Sequence, residues 1–301
     1  MKTSFKKILF TVNPIDLNSM ESLDIILGDL QDMHTNIDLY AINSDVNALS
    51  STLSHKINCL EADEILNNDL IISIGGDGTM LQSAKLAHKL NIPITGINKG
   101  RLGFLTDINP DQAAEVIKNI INGQYAEENR LLIKATVNKH LQDPIIGYGL
   151  NDVAIKRKET GRMIRIKILI DQKYINTHEG DGFIVASPTG STAYALSCGG
   201  PILKPDIEAL ILVPICPHSL NDRPLVVPAH SEVNVSAELG KGETAEIDLD
   251  GDTFSELNPE DTLTVKVSSQ FIKLIHPEDY DYFNTLRTKL YWGQDRRTST
   301  H

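Results

Sequence analysis

The sequence predicts an α/β domain built on a parallel sheet, followed by a β-rich, β-sandwich-like domain. In the first third, short apolar runs alternate with stretches of helical period, the pattern of a parallel sheet covered on both faces. From about residue 130 the apolar period falls from three or four to two. The change falls at Glu127–Arg130 and marks the boundary. The expected domains are therefore 1–128 and 129–276, with the mixed, aromatic stretch 277–301 packing back to complete the first.

Each element has its own signal. Ile8 to Val12 is a short apolar run stopped by Asn13-Pro14, and an amphipathic stretch follows around Met20 to Met33. Leu70 to Ile74 predicts a second strand, ended by Gly75-Gly76, with Thr79 as the expected helix cap. Met80, Ala84 and Ala87 share one helical face. Ile92 to Ile97 predicts a third strand running into the Gly-rich Asn98–Gly103. A helix from Asp111 to Asn122 carries Ala114, Ile117 and Ile121 inward and is closed by Gly123. Beyond the boundary, Leu131, Ile133, Ala135 and Val137 alternate with polar or outward residues. Ile164 to Ile170, Val233 to Leu239, Ile247 to Leu249 and Leu263 to Val267 repeat the pattern. Asp250-Gly251 is a good two-residue hairpin turn between two of these strands.

Composition excludes several classes. The 301 residues are 41% hydrophobic and 23% charged, an ordinary globular balance, so disordered and fibrous chains are excluded. Lys and Arg total 28 against 40 Asp and Glu, a net charge of −12. Such a field repels phosphate at long range, so neither nucleic acid nor an anionic membrane is an expected partner. Any phosphorylated ligand must be met by local donors or a metal. No stretch reaches the roughly 20 apolar residues of a membrane span. Ala209 to Pro217 is the longest candidate, and it is short and interrupted by Pro214. The basic start MKTSFKKILFTVNP has too short an apolar run to predict a signal peptide. Cys59, Cys198 and Cys216 are odd in number and lack C-x-x-C spacing, which fits a reducing cytoplasm rather than a disulfide framework or a zinc site.

Four segments carry chemistry. In Ile74-Gly75-Gly76-Asp77-Gly78-Thr79, glycines allow a tight turn and bring bare N–H groups near phosphate, and the helix start adds positive potential. Asp77 is awkward among phosphate-cradling amides unless it binds a metal or accepts a proton. A plain β-turn is the alternative, and the strand-to-helix position favours function. The segment matches neither a Walker P-loop nor G-x-G-x-x-G. In the second segment, Asn98-Lys99-Gly100-Arg101-Leu102-Gly103-Phe104-Leu105, Phe104 could stack on a ring, and Lys99 or Arg101 could meet phosphate. Taken alone, this segment reads better as a loop with Phe104 in the core. In the third, Asn151-Asp152 pairs an amide with a carboxylate, suited to a sugar diol or an amide-bearing ring. The Lys156, Arg157, Lys158 and Arg162 that follow would serve as counter-charge to pyrophosphate or as a solvated hairpin face. The fourth, His178 to Pro201, is dense in hydroxyls and glycines, with Tyr194 as a flat surface. Ser191 lacks a G-x-S-x-G elbow and an evident His/Asp pair, so a serine nucleophile is a weak alternative. The nine histidines show no metal spacing, so no metal-ligating residues are assigned.

Together these segments resemble the NAD kinase family: G-G-D-G-T at Gly75–Thr79, K-G-R-L-G-F at Lys99–Phe104, Leu150-Asn151-Asp152, and D-G…S-P-T-G-S-T-A-Y…G-G-P from Asp181 to Pro201. The tail, Leu274 through Asn284, looks like the bacterial branch. The resemblance implies a Rossmann-like first domain of the G-G-D-G kinase type and a β-rich NAD-binding and oligomerisation domain. It implies transfer of the ATP γ-phosphoryl group to the 2′-hydroxyl of the adenosine ribose of NAD, giving NADP, with Mg²⁺ or another divalent cation. By the same resemblance Asp77 is the catalytic carboxylate, Gly78 approaches the ribose, and Phe104 lies against the adenine. Asn151 and Asp152 grip the dinucleotide. Asp181, Thr192, Ala193, Tyr194 and Ser197 line the nicotinamide–ribose side, and Arg162, Glu179 and Asp252 lie near the ligand without assigned roles. A cytoplasmic homodimer or homotetramer is implied, and Leu212–His218 matches a stretch that can reach a neighbouring subunit, although an interface strand or a buried loop would equally explain it. A lipid kinase sharing G-G-D-G and a non-catalytic dinucleotide sensor are the alternatives. Neither uses every matched position.

Overall fold

The computed structural model describes residues 3–13, 15–30, 35–42, 58–60, 64–65, 68–158, 163–240 and 242–292. The chain divides into two units, residues 1–129 with 272–301, and residues 130–271.

In the first unit the apolar runs pair in parallel. Lys7–Val12 lies between Asn36–Ala41 and Leu70–Ile74, Ile94–Ile97 follows Leu70–Ile74, and Asn58–Cys59 adds to Asn36–Ala41. The end of the Thr262–His276 strand sets Leu274 beside Ile94. All five residues of Leu70–Ile74 are buried, as expected of a strand covered on both faces. Ile8, Phe10, Leu70 and Ile72 join Met20, Leu23 and Ile117 in one core. Each such side chain contributes roughly 1.5–3 kcal/mol through burial. Asn36–Ala41 left no clear signal in the sequence because it is only partly buried and its apolar residues do not form a run.

Helix boundaries differ in detail from those the sequence predicts. Gly76, not Thr79, caps the Asp77–Leu90 helix, and no side chain bonds the cap. Thr79 sits in the first turn against Gly75, where a Cβ would fall 2.5 Å from the Thr79 hydroxyl. Gly75 is therefore required by close approach. Asn91 ends the helix in the left-handed region at φ 54°, its N–H reaching the Ala87 and His88 carbonyls. That delays the next strand to Ile94. The helix expected from Asp111 begins as a 3₁₀ turn, Pro110–Gln112, capped by the Asn109 side chain, and continues as Ala113–Ile121. The tail forms the helix Tyr282–Leu290.

The second unit holds antiparallel strands in two layers. In one, Ile164–Ile170 lies between Lys173–Gly180 and Val233–Glu238, which in turn pairs with Thr262–His276. The other runs in the order Leu225–Pro228, Ala209–Ile215, Gly182–Ala186, Asp152–Arg157, Ala245–Leu249 and Asp252–Leu257. Ile164, Ile166, Val233 and Val235 from the first layer share a core with Ile155, Phe183, Leu212 and Ile247 from the second. This is a sandwich interior. The apolar run around Pro214 is the wholly buried strand Ala209–Ile215. Its neighbour Leu225–Pro228 pairs only with Ala209 to Leu212, so the proline meets a ladder on one side alone.

Asp261 ties two loops of this unit. Its carboxylate accepts from the backbone N–H of His140 (2.9 Å) and Asn258 (2.9 Å), from Asn258 Nδ2 (2.8 Å) and from Lys139 Nζ (3.0 Å). Burial works to raise its pKa, but these donors outweigh burial and hold the carboxyl at about 2. A depressed folded pKa gives stability that is complete above the unfolded value near 4 and lost as pH falls through about 2. Asp261→Asn should therefore destabilise the fold by about 2 kcal/mol at pH 7, with the deficit shrinking below pH 4. Urea unfolding at pH 7 and pH 3 checks this, and a deficit unchanged between the two would refute the ionic account.

Candidate active site

Asp77 opens its helix at the carboxyl end of Leu70–Ile74, where the helix start favours a negative charge. Its Oδ2 accepts the Phe104 N–H at 3.0 Å, and its Oδ1 accepts the Leu105 N–H at 2.9 Å, with the Thr106 hydroxyl at 3.4 Å. The carboxylate thus holds the second Gly-rich loop in place. Gly103 makes the approach possible, because a Cβ there would collide with Asp77 Oδ1 and Thr106 Oγ1. The helix is pinned beneath by a buried hydroxyl chain. Ser83 Oγ lies 2.7 Å from Thr11 Oγ1 and donates to Ser73 Oγ at 2.9 Å. Gly78 is exposed and an added Cβ there would meet nothing, while Phe104 is partly exposed.

Asn98 folds its own loop, accepting the Gly100 N–H at 2.8 Å. Lys99 is paired with Asp16 rather than standing ready for phosphate. Burial works to raise the Asp16 pKa, but hydrogen bonds from Lys99 and Ser19 outweigh it and hold the carboxyl below its usual range.

In the second unit, Asn151 and Asp152 lie on a loop organised by one residue. The Asp250 carboxylate accepts the backbone N–H groups of Leu150 (2.8 Å), Asn151 (2.7 Å) and Asp152 (3.1 Å). Asp250 and Gly251 form the hairpin turn, both at positive φ. In the sequence, Asp250-Gly251-Asp252 reads most simply as a hairpin turn that could lie at a pocket edge, with no sign of this organising role. The available signal was its acidity, since an Asn-Gly turn would serve the backbone equally well.

Ser187 fixes the other side of this loop. Its hydroxyl donates to the Leu150 carbonyl (2.6 Å), and its N–H bonds the Asn151 carbonyl (2.8 Å). A Cβ at Gly190 would strike the Asn151 backbone, so the 3₁₀ turn Thr189–Thr192 lies directly on the Asn-Asp pair. Ser191 is fully buried and bonds Pro188 and Leu203 backbone groups, so its hydroxyl is structural and the nucleophile alternative falls. Thr192 bonds back to the Thr189 carbonyl, Ala193 joins the turn to the short helix Tyr194–Ser197, and Tyr194 presents a 40% exposed ring.

Asp152 is 4% exposed. Burial first, then the neighbouring Asp250 and Asp248, push its carboxyl up to about 7. Tyr194 belongs to the same electrostatic neighbourhood: burial raises its hydroxyl, Cys198 adds to this, and Lys156 opposes it.

The basic run is neutralised within the unit. Lys156 pairs with Asp248 and Glu246, Arg157 with Asp181 (3.1 Å), and Lys158 with Glu256. The hairpin-face reading of these three therefore holds over the pyrophosphate reading. Asp181 is held by Arg157 at the end of that strand. Glu179 is exposed, while its neighbour His178 turns inward to Asp222 (2.7 Å). Asp252 is exposed at the start of its strand, and Arg162 lies outside the described residues.

Comparison with known proteins decides the family. The ATP-NAD kinase N-terminal domain matches residues 32–125, and the ATP-NAD kinase C-terminal domain matches residues 150–277. The NAD kinase of Pseudomonas putida strain GB-1 is 44% identical over 225 residues, 75% of this chain and 76% of that protein. The chain belongs to the NAD kinase family. As an NAD kinase it phosphorylates NAD with ATP to give NADP. The NAD kinase of Pseudomonas fluorescens strain SBW25 is 42% identical over the same share of each chain. Among solved structures, yeast NADH kinase complexed with NADH covers 99% of this chain and 91% of its own at a TM-score of 0.88 and 22% identity, a likeness of fold. An NAD kinase from Archaeoglobus fulgidus in complex with ATP covers 94% of this chain and 98% of its own at a TM-score of 0.70 and 26% identity.

Proposed function

We propose that Asp77 orients the 2′-hydroxyl of the adenosine ribose of NAD and takes its proton as the γ-phosphoryl group of ATP arrives. The observation that supports this is a carboxylate fixed at a helix start by the Phe104 and Leu105 amides. Oδ1 accepts from Leu105 and Thr106, while Oδ2 accepts the Phe104 N–H alone and retains a lone pair for the hydroxyl. The ribose oxygen forms the new bond to phosphorus, the bond from phosphorus to the β-phosphate oxygen breaks, ADP leaves, and the proton passes to Asp77. The exposed backbone at Gly78 lets the ribose approach, and Phe104 offers a face to the adenine.

Asn151 and Asp152 grip the dinucleotide. With its carboxyl at about 7, Asp152 can donate as well as accept near neutrality. Thr192, Ala193, Tyr194 and Ser197 line the nicotinamide–ribose side with Asp181. Glu179, Asp252 and Arg162 are peripheral in this reading. A divalent cation, Mg²⁺ in the simplest case, would come with ATP and would neutralise charge on the phosphoryl group. Asp77 is the carboxylate of this site that would hold such a cation, which would supply charge neutralisation there. NADP formation, read by a coupled NADP-specific dehydrogenase for wild type beside Asp77→Asn, in Mg²⁺ and in EDTA, tests this. Wild-type turnover in the variant, or turnover that survives EDTA, would overturn it.

A homodimer or homotetramer assembled through the second unit is part of the same reading. Lys173–Gly180 and Leu225–Pro228 stand at sheet edges and expose Tyr174, Ile175, Leu225 and Val226. Apolar edge strands invite a partner. Sedimentation velocity should give a mass of two or four chains, and a monomer at micromolar concentration would refute this part. Cys59, Cys198 and Cys216, none of them in a disulfide, suit a reducing cytoplasm.

A further inference from the structure

A chain of net charge −12 must meet polyphosphate with cations placed one at a time. Several basic residues flagged in the sequence are already committed to carboxylates: Lys99 to Asp16, Lys156 to Asp248 and Arg157 to Asp181. Lys289 differs. Its ammonium stands 5.5 Å from the centroid of the Phe104 ring, and it makes no salt bridge among the described residues. Phe104 is the residue whose N–H the Asp77 carboxylate holds at 3.0 Å.

The placement of Lys289 is built into the fold. Its helix, Tyr282–Leu290, is capped by Asp281, which accepts the Phe283 N–H at 2.9 Å, and it buries Thr285 and Leu286. Just upstream, buried His276 bonds Asp107 at 2.7 Å and stacks on Tyr280 with centroids 3.8 Å apart. Asp107 lies three residues beyond Phe104, so the chain leading into the helix is tied to the segment that carries the ring. A cation in the last turn of a helix is ordinary in itself, and Arg287, paired with Asp281, fits that description. Lys289 instead faces an aromatic ring, a weak hold that a phosphate would displace.

We propose that Lys289 is a positioning residue for the transferred phosphoryl group, its ammonium swinging from the Phe104 ring to the 2′-phosphate as NADP forms. The inference rests on the reading that phosphorylation takes place at Asp77, and its test is a binding ratio that needs no turnover. Calorimetric titration with NAD and with NADP would be run on wild type, Lys289→Met and Lys289→Arg. Losing one charge-assisted phosphate contact should weaken NADP about tenfold in Lys289→Met. NAD, lacking that phosphate, should be affected by less than about twofold, and Lys289→Arg should recover most of the NADP affinity. Equal losses for NAD and NADP, or no loss for either, would overturn the proposal, and equal losses with a lowered melting temperature would assign Lys289 a purely structural role. Failure of the Asp77 reading would show in Asp77→Asn turnover and leave this ratio unchanged.

Discussion

Asp77→Asn should lower kcat for NADP formation by roughly 10² or more, the range expected when a positioned general base is removed. Two effects add in this variant. The amide cannot take the ribose proton, and its NH₂ group would face either the Phe104 or the Leu105 N–H, leaving one of those amides without its acceptor. The second effect loosens the loop that carries Phe104, so NAD affinity should also fall, though by less than kcat. The two are separable. Calorimetric NAD binding reports loop geometry, and single-turnover kinetics report the chemical step. A variant that loses binding and turnover in equal proportion would make Asp77 a loop anchor rather than a base. One that keeps turnover while binding NAD would remove the residue from the mechanism, and an inactive wild type that binds NAD would favour the sensor alternative.

Asp152→Asn should stabilise the unliganded protein by up to about 4 kcal/mol at pH 8.5, with the gain disappearing near pH 4. The sign follows from the raised pKa. The carboxyl titrates at about 7 in the fold because burial and the adjacent Asp250 and Asp248 disfavour its charge. It titrates near 4 in the unfolded chain. Between these values the folded state holds the extra proton, so stability falls as pH rises through about 7. Asparagine carries no charge at any of these pH values and escapes the penalty. Asp250 is itself occupied by three backbone N–H groups, and Asp248 by Lys156, so neither is free to relieve the crowding. Guanidinium unfolding of both proteins at pH 5 and 8.5 measures the difference. A constant gap across that range would mean that packing, not ionisation, distinguishes them. A buried carboxyl whose charge is disfavoured in this way is also the arrangement expected where a ligand's hydroxyls or amide are bound.

Much of the architecture was legible in the sequence because burial leaves a periodic record. Leu70–Ile74 is the clearest case: a buried parallel strand reads as an unbroken apolar run, and two glycines mark its end. Ile164–Ile170 shows the period of two through Ile164, Ile166 and Ile168. Asn36–Ala41 carries the period of two only in Ile37, Leu39 and Ala41, too short and too half covered a stretch to stand out, and its pairing with Lys7–Val12 makes it a strand. Thr79 has the composition of a cap, but Gly75 lies so close that its side chain packs there instead.

The family motifs were equally plain, since G-G-D-G-T and the long Asp181–Pro201 segment are local features of order and spacing. What each charge does was not local. The basic run from Lys156 to Lys158 reads as a phosphate site in one dimension, and three cross-strand carboxylates neutralise it in three. Asp250 reads as a turn residue, yet its carboxylate organises a loop about 100 positions earlier in the chain. Lys289 carries no motif and acquires meaning only through the ring it faces. The sequence by itself thus determined most of the buried strands, the glycine turns and the family, because backbone conformation and burial depend on neighbours along the chain. Only the tertiary structure decided which charges are paired, which are crowded and which stand ready, because electrostatic partners are set by distance in space.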